Sequence, residues 1–442
     1  MQLNADDINS KSVMQIAWPI IVANITIPLL GLVDTAVVGN LGNAALIGAI
    51  AIGSMVFGFV YWGFGFLRMS TTGLVAQADG AGDAQQVQVE FYRALLLALI
   101  IAVLLLCFQV FIINYSLILI DASQQVESAA QSYLGIRILS APATLLNFVI
   151  IGFFLGLGKT RITLVLQVLM NGLNIVLDLV FVLLLGWGVE GVALATVIAE
   201  YVVLVIGLVL AAKHLSLSYA VEFSRLFAAK EFRKMLSLNS DLMLRTLCLL
   251  FVFAWFTNQS AKLGDDLLAA NSILLQFITF TAFVLDGFAL AAERLVGQAV
   301  GARHYPYFRR SVYQTSFLAF LMSLILMLVV WLGHGFTINV MTNVETVRAL
   351  ANDYIIWVVI APLLSFTCFQ LDGIFIGATR SAEMRNSMLV TVILFLVSWY
   401  VLMPRYGNHG LWMALWLSYA FRTLSLLWYY SRIPASFAED VT

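Results

Sequence analysis

Runs of about twenty apolar residues, separated by short polar stretches, recur along the whole chain. A helix rises 1.5 Å per residue, so each run can cross a hydrocarbon core of about 30 Å with its backbone N–H and C=O groups paired inside the segment. Twelve runs are counted, starting near Val13, Ala44, Phe91, Ala130, Thr160, Val189, Leu236, Leu267, Ser311, Ala349, Ser387 and Gly410. The pattern predicts an all-α membrane protein of twelve transmembrane helices. The longest polar stretch, Lys213 to Lys234, has basic residues suited to anionic headgroups and is too short to be a domain. Asp6 and Asp7 stand where a cleavable leader would carry positive charge, so the first helix is expected to stay in the protein.

The runs fall into two similar sets. Leu74-Val75-Ala76-Gln77-Ala78 followed by Gly80-Ala81 returns as Leu295-Val296-Gly297-Gln298-Ala299 followed by Gly301-Ala302. Ala141-Pro142, Gly152, Gly156 and Lys159 return, with one residue inserted, as Ala361-Pro362, Gly373, Gly377 and Arg380. Gly188, Gly191 and Ala195 match Gly407, Gly410 and Ala414. Three matches in one order, each displaced by about half the chain, indicate a duplicated unit. The expected division is an N-lobe of helices 1–6 over residues 1–212, a cytoplasmic linker over 213–235 and a C-lobe of helices 7–12 over 236–442. Two pseudo-symmetric bundles that rock about a shared interface are the usual build of a transporter.

Composition and charge agree with a lipid setting. Hydrophobic residues make up 62% of the chain and charged residues 11%, where a soluble domain carries roughly 25% charged. The net charge of −1 gives no reason to expect a nucleic-acid partner. Of the 23 Lys and Arg residues, Arg137, Arg245 and Arg422 lie inside apolar runs, Lys262, Arg348 and Arg405 lie on one set of alternate loops, and the other seventeen lie on the other set. That asymmetry puts both termini in the cytoplasm, and for a bacterial chain the membrane would be the inner one.

Several chemistries are excluded. Gly156-Leu157-Gly158-Lys159-Thr160 looks like the end of a phosphate-binding loop, but the glycine required five residues before Gly158 is Phe153, and the segment lies between two apolar runs. There is no His-Glu-x-x-His pair and no Gly-x-Ser-x-Gly elbow. Cys107, Cys248 and Cys368 lie in apolar segments without metal-ligand spacing, so they are read as packing residues. No enzyme activity, metal or cofactor is expected. The remaining source of energy is an ion gradient.

An ion-coupled carrier needs a group inside the membrane that takes and releases a cation, and ionisable residues there are costly enough to suggest function. Asp34 stands in the run Ile25 to Val38, with Asn24, Pro28 and Gly31 three or four residues apart on the same helical stripe. In the fifth span Asn171, Asn174 and Asp178 share a face, and in the sixth Thr196 and Glu200 are four apart. The topology puts Asp34, Asp178 and Thr196 at one level, within ~12 Å of the outer end, with Asn174 one turn deeper. Two carboxylates in one dry pocket resist carrying charge together, so one is expected to hold a proton readily. The alternative is that these groups only hydrogen-bond their neighbours and pin helices. For Glu200, Arg137, Arg245 and Arg422 a structural role is expected; Asp286 and Asp372, in the second half, are expected either to form a secondary polar cluster or to line the substrate path. Pro19 and Pro28 each remove a hydrogen bond from the first helix, which marks a hinge beside Asp34.

At these residues the chain resembles the multidrug and toxic compound extrusion (MATE) family, and within it the branch named for DNA-damage-inducible protein F. The resemblance runs through all twelve spans and rests on Pro28 to Ala36, Leu67 to Leu74, Asn174 to Asp178, Gly191 to Tyr201 and Asp372 to Arg380. It implies two six-helix lobes forming an inner-membrane antiporter that expels amphipathic cations in exchange for H⁺ or Na⁺. By similarity Asp34 is the first-helix carboxylate of an N-lobe cation site, with Asn174, Asp178 and Thr196 at partner positions and Pro19 at the bend. Family members with a C-lobe site carry an acid on the seventh helix, where this chain has only Asp241 near the cytoplasmic end. N-lobe coupling is therefore expected.

Proton coupling is favoured, because protonation needs one carboxyl whereas a sodium ion needs five or six oxygen ligands. A Na⁺-coupled antiporter and a lipid-linked precursor flippase are the alternatives. The flippase would line its cavity with basic residues for pyrophosphate, and the membrane arginines here are few. A membrane-embedded transferase would need a His or Asp cluster, yet His214, His304, His334 and His409 lie on four separate loops. Partners expected are the coupling ion, small hydrophobic or cationic substrates and the bilayer. A monomer suffices, since one chain holds both halves.

Overall fold

The computed structural model describes residues 4–39, 44–120, 123–215 and 223–437, and those residues contain helices and no strand. The first half carries α1 (Ser10–Gly39), α2 (Ala44–Gly63), α3 (Phe66–Gly80), α4 (Ala84–Cys107), α5 (Gln109–Ile120), α6 (Gln124–Arg137), α7 (Ala141–Gly156), α8 (Thr160–Asp178) and α9 (Gly188–His214). The second half carries α10 (Phe223–Leu226), α11 (Ala229–Lys262), α12 (Asp265–Gly301), α13 (Tyr305–Met341), α14 (Glu345–Asp353), α15 (Ile356–Val359), α16 (Ala361–Gly377), α17 (Ser381–Tyr430) and α18 (Arg432–Ser436). Among the described residues ten helical stretches are long and apolar enough to cross a membrane. The last of them, Ser381–Ser436, breaks at Gly407, whose φ of 56° is the left-handed conformation that glycine takes without strain. The chain is a multi-pass membrane protein.

Helices start ahead of the apolar runs that announce them, at Ala84 where the run begins near Phe91 and at Ala229 where it begins near Leu236. The extra turns are polar but still helical. Asp83 caps α4 by accepting the Gln86 N–H at 2.8 Å, and His304 does the same for the Tyr307 N–H of α13 at 3.1 Å. Hydropathy registers only the part of each helix that lies in hydrocarbon.

The chain folds into two compact units. One contains residues 22–79 and 83–235, the other residues 1–21, 80–82 and 236–442. Against the expected division 1–212, 213–235 and 236–442, described residues 4–21 group with the C-terminal unit, and described residues 213–215 and 223–235 of the expected linker group with the N-terminal one. Two helices are continuous across the boundary, α1 between Ile21 and Val22 and α11 between Met235 and Leu236.

Each unit uses its copy of the repeated glycines in the same way. A Cβ on Gly152 of α7 would stand 2.6 Å from the Arg68 carbonyl oxygen of α3, and one on Gly373 of α16 would stand 2.1 Å from the Ala289 carbonyl oxygen of α12. Gly156 and Gly377, four residues on, repeat the contact against Thr72 and Glu293. Small residues at this spacing let two helix backbones touch, which is how apolar helices gain van der Waals contact where lipid offers no hydrophobic driving force. The close packing of α3 with α7 and of α12 with α16 gives each unit a rigid frame.

Candidate functional site

In the N-terminal unit α8 and α9 bring three polar side chains together. Asn174 and Asp178 are one turn apart on α8, are 2% and 0% exposed, and point at Thr196 on α9. With its amide oriented to satisfy both ends, Asn174 donates to Asp178 Oδ2 at 3.0 Å and accepts from Thr196 Oγ1 at 2.9 Å and the Thr196 N–H at 3.0 Å. One turn back, buried Asn171 donates to Thr26 Oγ1 of α1 at 2.6 Å, which ties the first helix to the same face of α8. Three of the residues expected to share a site, Asn174, Asp178 and Thr196, are therefore brought together by α8 and α9. The chain ends on a carboxylate, bridged through a neutral amide to a hydroxyl. Such a chain offers three oxygens of different character to a cation, or a place to keep a proton.

Directly after Asp178 the backbone widens into a π-helical turn, Leu179–Leu184, in which the Leu185 N–H reaches back to the Val180 carbonyl at 3.0 Å. Such turns are rare and frequently lie at functional sites. Nothing in the residues announces it, since Leu-Val-Phe-Val-Leu-Leu is apolar throughout.

The first helix contributes less that can be described. Asp34 lies on α1, but its side chain falls outside the described residues. Asn24 is half-buried, Pro19 buried and Pro28 half-buried, and α1 is helical through both prolines.

Glu200 does not join the Asp178 group. One turn beyond Thr196 on α9, it forms an ion pair with Arg137 of α6 at 2.8 Å and takes a further hydrogen bond from Thr144 of α7, while Asn147 donates to its backbone carbonyl at 2.9 Å. The Arg137 guanidinium also lies over the rings of Phe57 and Tyr61, 5.6 and 5.3 Å from their centroids. Arg137 is the partner that sequence reasoning missed: a lone arginine in an apolar run signals a buried pair but does not say with which acid.

The C-terminal unit has its own charged cluster. Asp372 of α16 accepts through Oδ2 from Arg245 of α11 at 2.8 Å and from Arg422 of α17, all three being buried. Asp286 is half-buried on α12. Asp241 accepts from Ser381 Oγ at 2.9 Å and Arg385 Nη1 at 2.5 Å, joining α11 to the start of α17. Phe153, Phe154 and Phe256 are fully buried in packing.

The comparison with known proteins gives this geometry a family. The MatE family model matches residues 19–180 and again 241–404. The chain belongs to the MatE family. The two matched segments of the MatE chain begin 222 residues apart, from 19 to 241, within a few residues of the displacement between its repeated motifs, such as Leu74 and Leu295. It is 43% identical over 423 residues to "DNA damage-inducible protein F" of Escherichia coli (strain K12), covering 95% of this chain and 91% of that one. It is 26% identical over 315 residues to "Probable multidrug resistance protein NorM" of Pasteurella multocida (strain Pm70), covering 68% and 66%. A solved structure described as the outward-facing conformation of a multidrug resistance MATE family transporter of the MOP superfamily superposes with a TM-score of 0.87 at 20% identity, covering 96% of each chain. The fold is that of the MATE transporters.

Proposed function

We propose that this MATE transporter is a secondary antiporter that exports amphipathic cationic compounds in exchange for H⁺, and that Asp34 and Asp178 of its N-terminal half carry the proton. The observation that carries the reading is the buried run Asp178, Asn174, Thr196. A carboxylate bridged by a neutral amide can be protonated with the amide and hydroxyl still hydrogen-bonded to each other. Loss of the charge on binding a proton, and its return on release, is the event that favours one conformation over another. The relative named for multidrug resistance supports the substrate class.

The reading includes twelve transmembrane helices in two lobes. Adding α1 to the ten apolar stretches and dividing the last at Gly407 makes twelve. The basic-residue asymmetry supports two cytoplasmic termini and an inner-membrane location, and one chain with both halves supports a monomer. Asn24, Glu200, Asp286 and Asp372 are read as secondary polar positions, Pro19 and Pro28 as the hinge of α1.

Efflux of ethidium from proteoliposomes tests the coupling ion. A pH gradient imposed without sodium is expected to drive export by the wild-type protein. Export that starts only when a sodium gradient is added would replace H⁺ by Na⁺, and no export of any lipophilic cation under either gradient would remove the exporter reading.

A further inference from the structure

Asn171 and Thr26 form a hydrogen bond about two turns before the Asp178 group, wholly within the N-terminal unit. Thr26 Oγ1 donates to the Ala23 carbonyl of its own helix at 2.6 Å and accepts from Asn171 Nδ2, also at 2.6 Å. With its proton committed to α1, the hydroxyl presents a lone pair to α8, and the amide that meets it is 4% exposed. Three apolar stretches, Leu46–Gly80, Ala84–Cys107 and Gln124–Gly156, separate α1 from α8, so helices that each cross once run in the same direction there. Asp34 stands eight residues beyond Thr26 on α1, and Asp178 seven beyond Asn171 on α8. At 1.5 Å per residue those steps are about 12 and 10 Å, so the bond sets positions 34 and 178 at nearly one level.

Pro28, two residues after Thr26, has no N–H to give the Asn24 carbonyl, so α1 lacks one backbone hydrogen bond between its tied turn and the turn that carries Asp34. A side-chain bond to α8 just before that gap holds α1 in register. A slip of one turn would move position 34 by about 5.4 Å along α8, and two carboxyls so displaced no longer act on one proton together. We propose that Thr26 and Asn171 are positioning residues of the coupling site, fixing the register of α1 on α8 so that Asp34 and Asp178 titrate as one pair. The proposal rests on the proton-antiport reading, which gives the two acids a proton to share. The helices packed against α8 leave the pair to itself. Ionisable side chains are missing from α7, and α9 offers exposed Glu190, Glu200 already paired with Arg137, Tyr201 bonded to the Leu139 carbonyl, and Lys213 and His214 at its far end.

The affinity of the purified full-length protein for tetraphenylphosphonium, measured across a range of pH, tests it. By linkage, the slope of log affinity against pH is the number of protons released on binding. Thr26→Val keeps the shape and removes the acceptor, and Asn171→Leu removes the donor from the other end. Each is expected to lower the wild-type slope about twofold or more, and the double variant no further than either single one, because all three lack the same bond. Thr26→Ser keeps the hydroxyl and is expected to retain the slope. A bond that only held two helices together would lower the thermal unfolding midpoint and leave the slope alone. A wild-type slope that persists in folded Thr26→Val or Asn171→Leu therefore overturns the proposal while the proton reading stands. An affinity that does not change with pH in the wild type removes the proton reading and the proposal with it. Should Asn171→Leu fail to accumulate, Thr26→Val, at a half-buried position, decides.

Discussion

Asp178 and Asp372 are both buried acids on apolar helices, one in each half, and they are held in opposite ways. Asp178 meets the neutral amide of Asn174, which passes the interaction on to Thr196. Asp372 accepts two guanidinium hydrogen bonds on a single oxygen, from Arg245 and Arg422. Protonating the second would forfeit two charge-assisted bonds, whereas protonating the first leaves its amide and hydroxyl neighbours in place. The lesson is that burial alone does not identify a coupling acid; what surrounds it does. One duplicated fold thus holds a carboxylate beside a neutral amide and another shared by two guanidiniums.

The comparison can be broken by substitution. Asp178→Asn keeps the shape and removes the titratable group, so pH-driven ethidium efflux is expected to fall to background with the protein still folded by size-exclusion chromatography; efflux at the wild-type rate would erase the distinction. Asp372→Asn leaves two buried guanidiniums short of the carboxylate they share. Its expected cost is stability, about 3–5 kcal/mol, read as a lowered midpoint in thermal unfolding in detergent. Gly373→Ala would drive a methyl group into the Ala289 carbonyl and is expected to cost about 1–3 kcal/mol on the same assay, while Ala substitution at open Gly333 leaves the midpoint unchanged. The smallest effect is expected from Thr196→Val, which removes one hydroxyl from the end of the Asp178 run. It should lower efflux by a few-fold, in line with a hydrogen bond worth about 1 kcal/mol.

Much of this was legible in the residues. The half-chain offset of the Leu74–Ala81 and Leu295–Ala302 motifs predicted two like units, and the Gly152/Gly156 and Gly373/Gly377 pairs mark where each packs most closely. The spacing of Asn171, Asn174 and Asp178 identified their shared face, because helical periodicity is a property of one segment. Partner choice is not. Thr196 and Glu200 are four apart and looked alike, yet one meets Asn174 and the other Arg137, and only the packing of α9 against α6 and α8 separates them. The unit boundaries inside α1 and α11 were hidden for the same reason: each helix reads as one uninterrupted pattern.

The most direct test is proton release on substrate binding. Addition of tetraphenylphosphonium to unbuffered, detergent-solubilised protein is expected to acidify the solution for the wild type and for Arg137→Met, and to leave the pH unchanged for the Asp34→Asn/Asp178→Asn double variant. Undiminished acidification by that double variant would show that the exchanged proton resides elsewhere in the molecule.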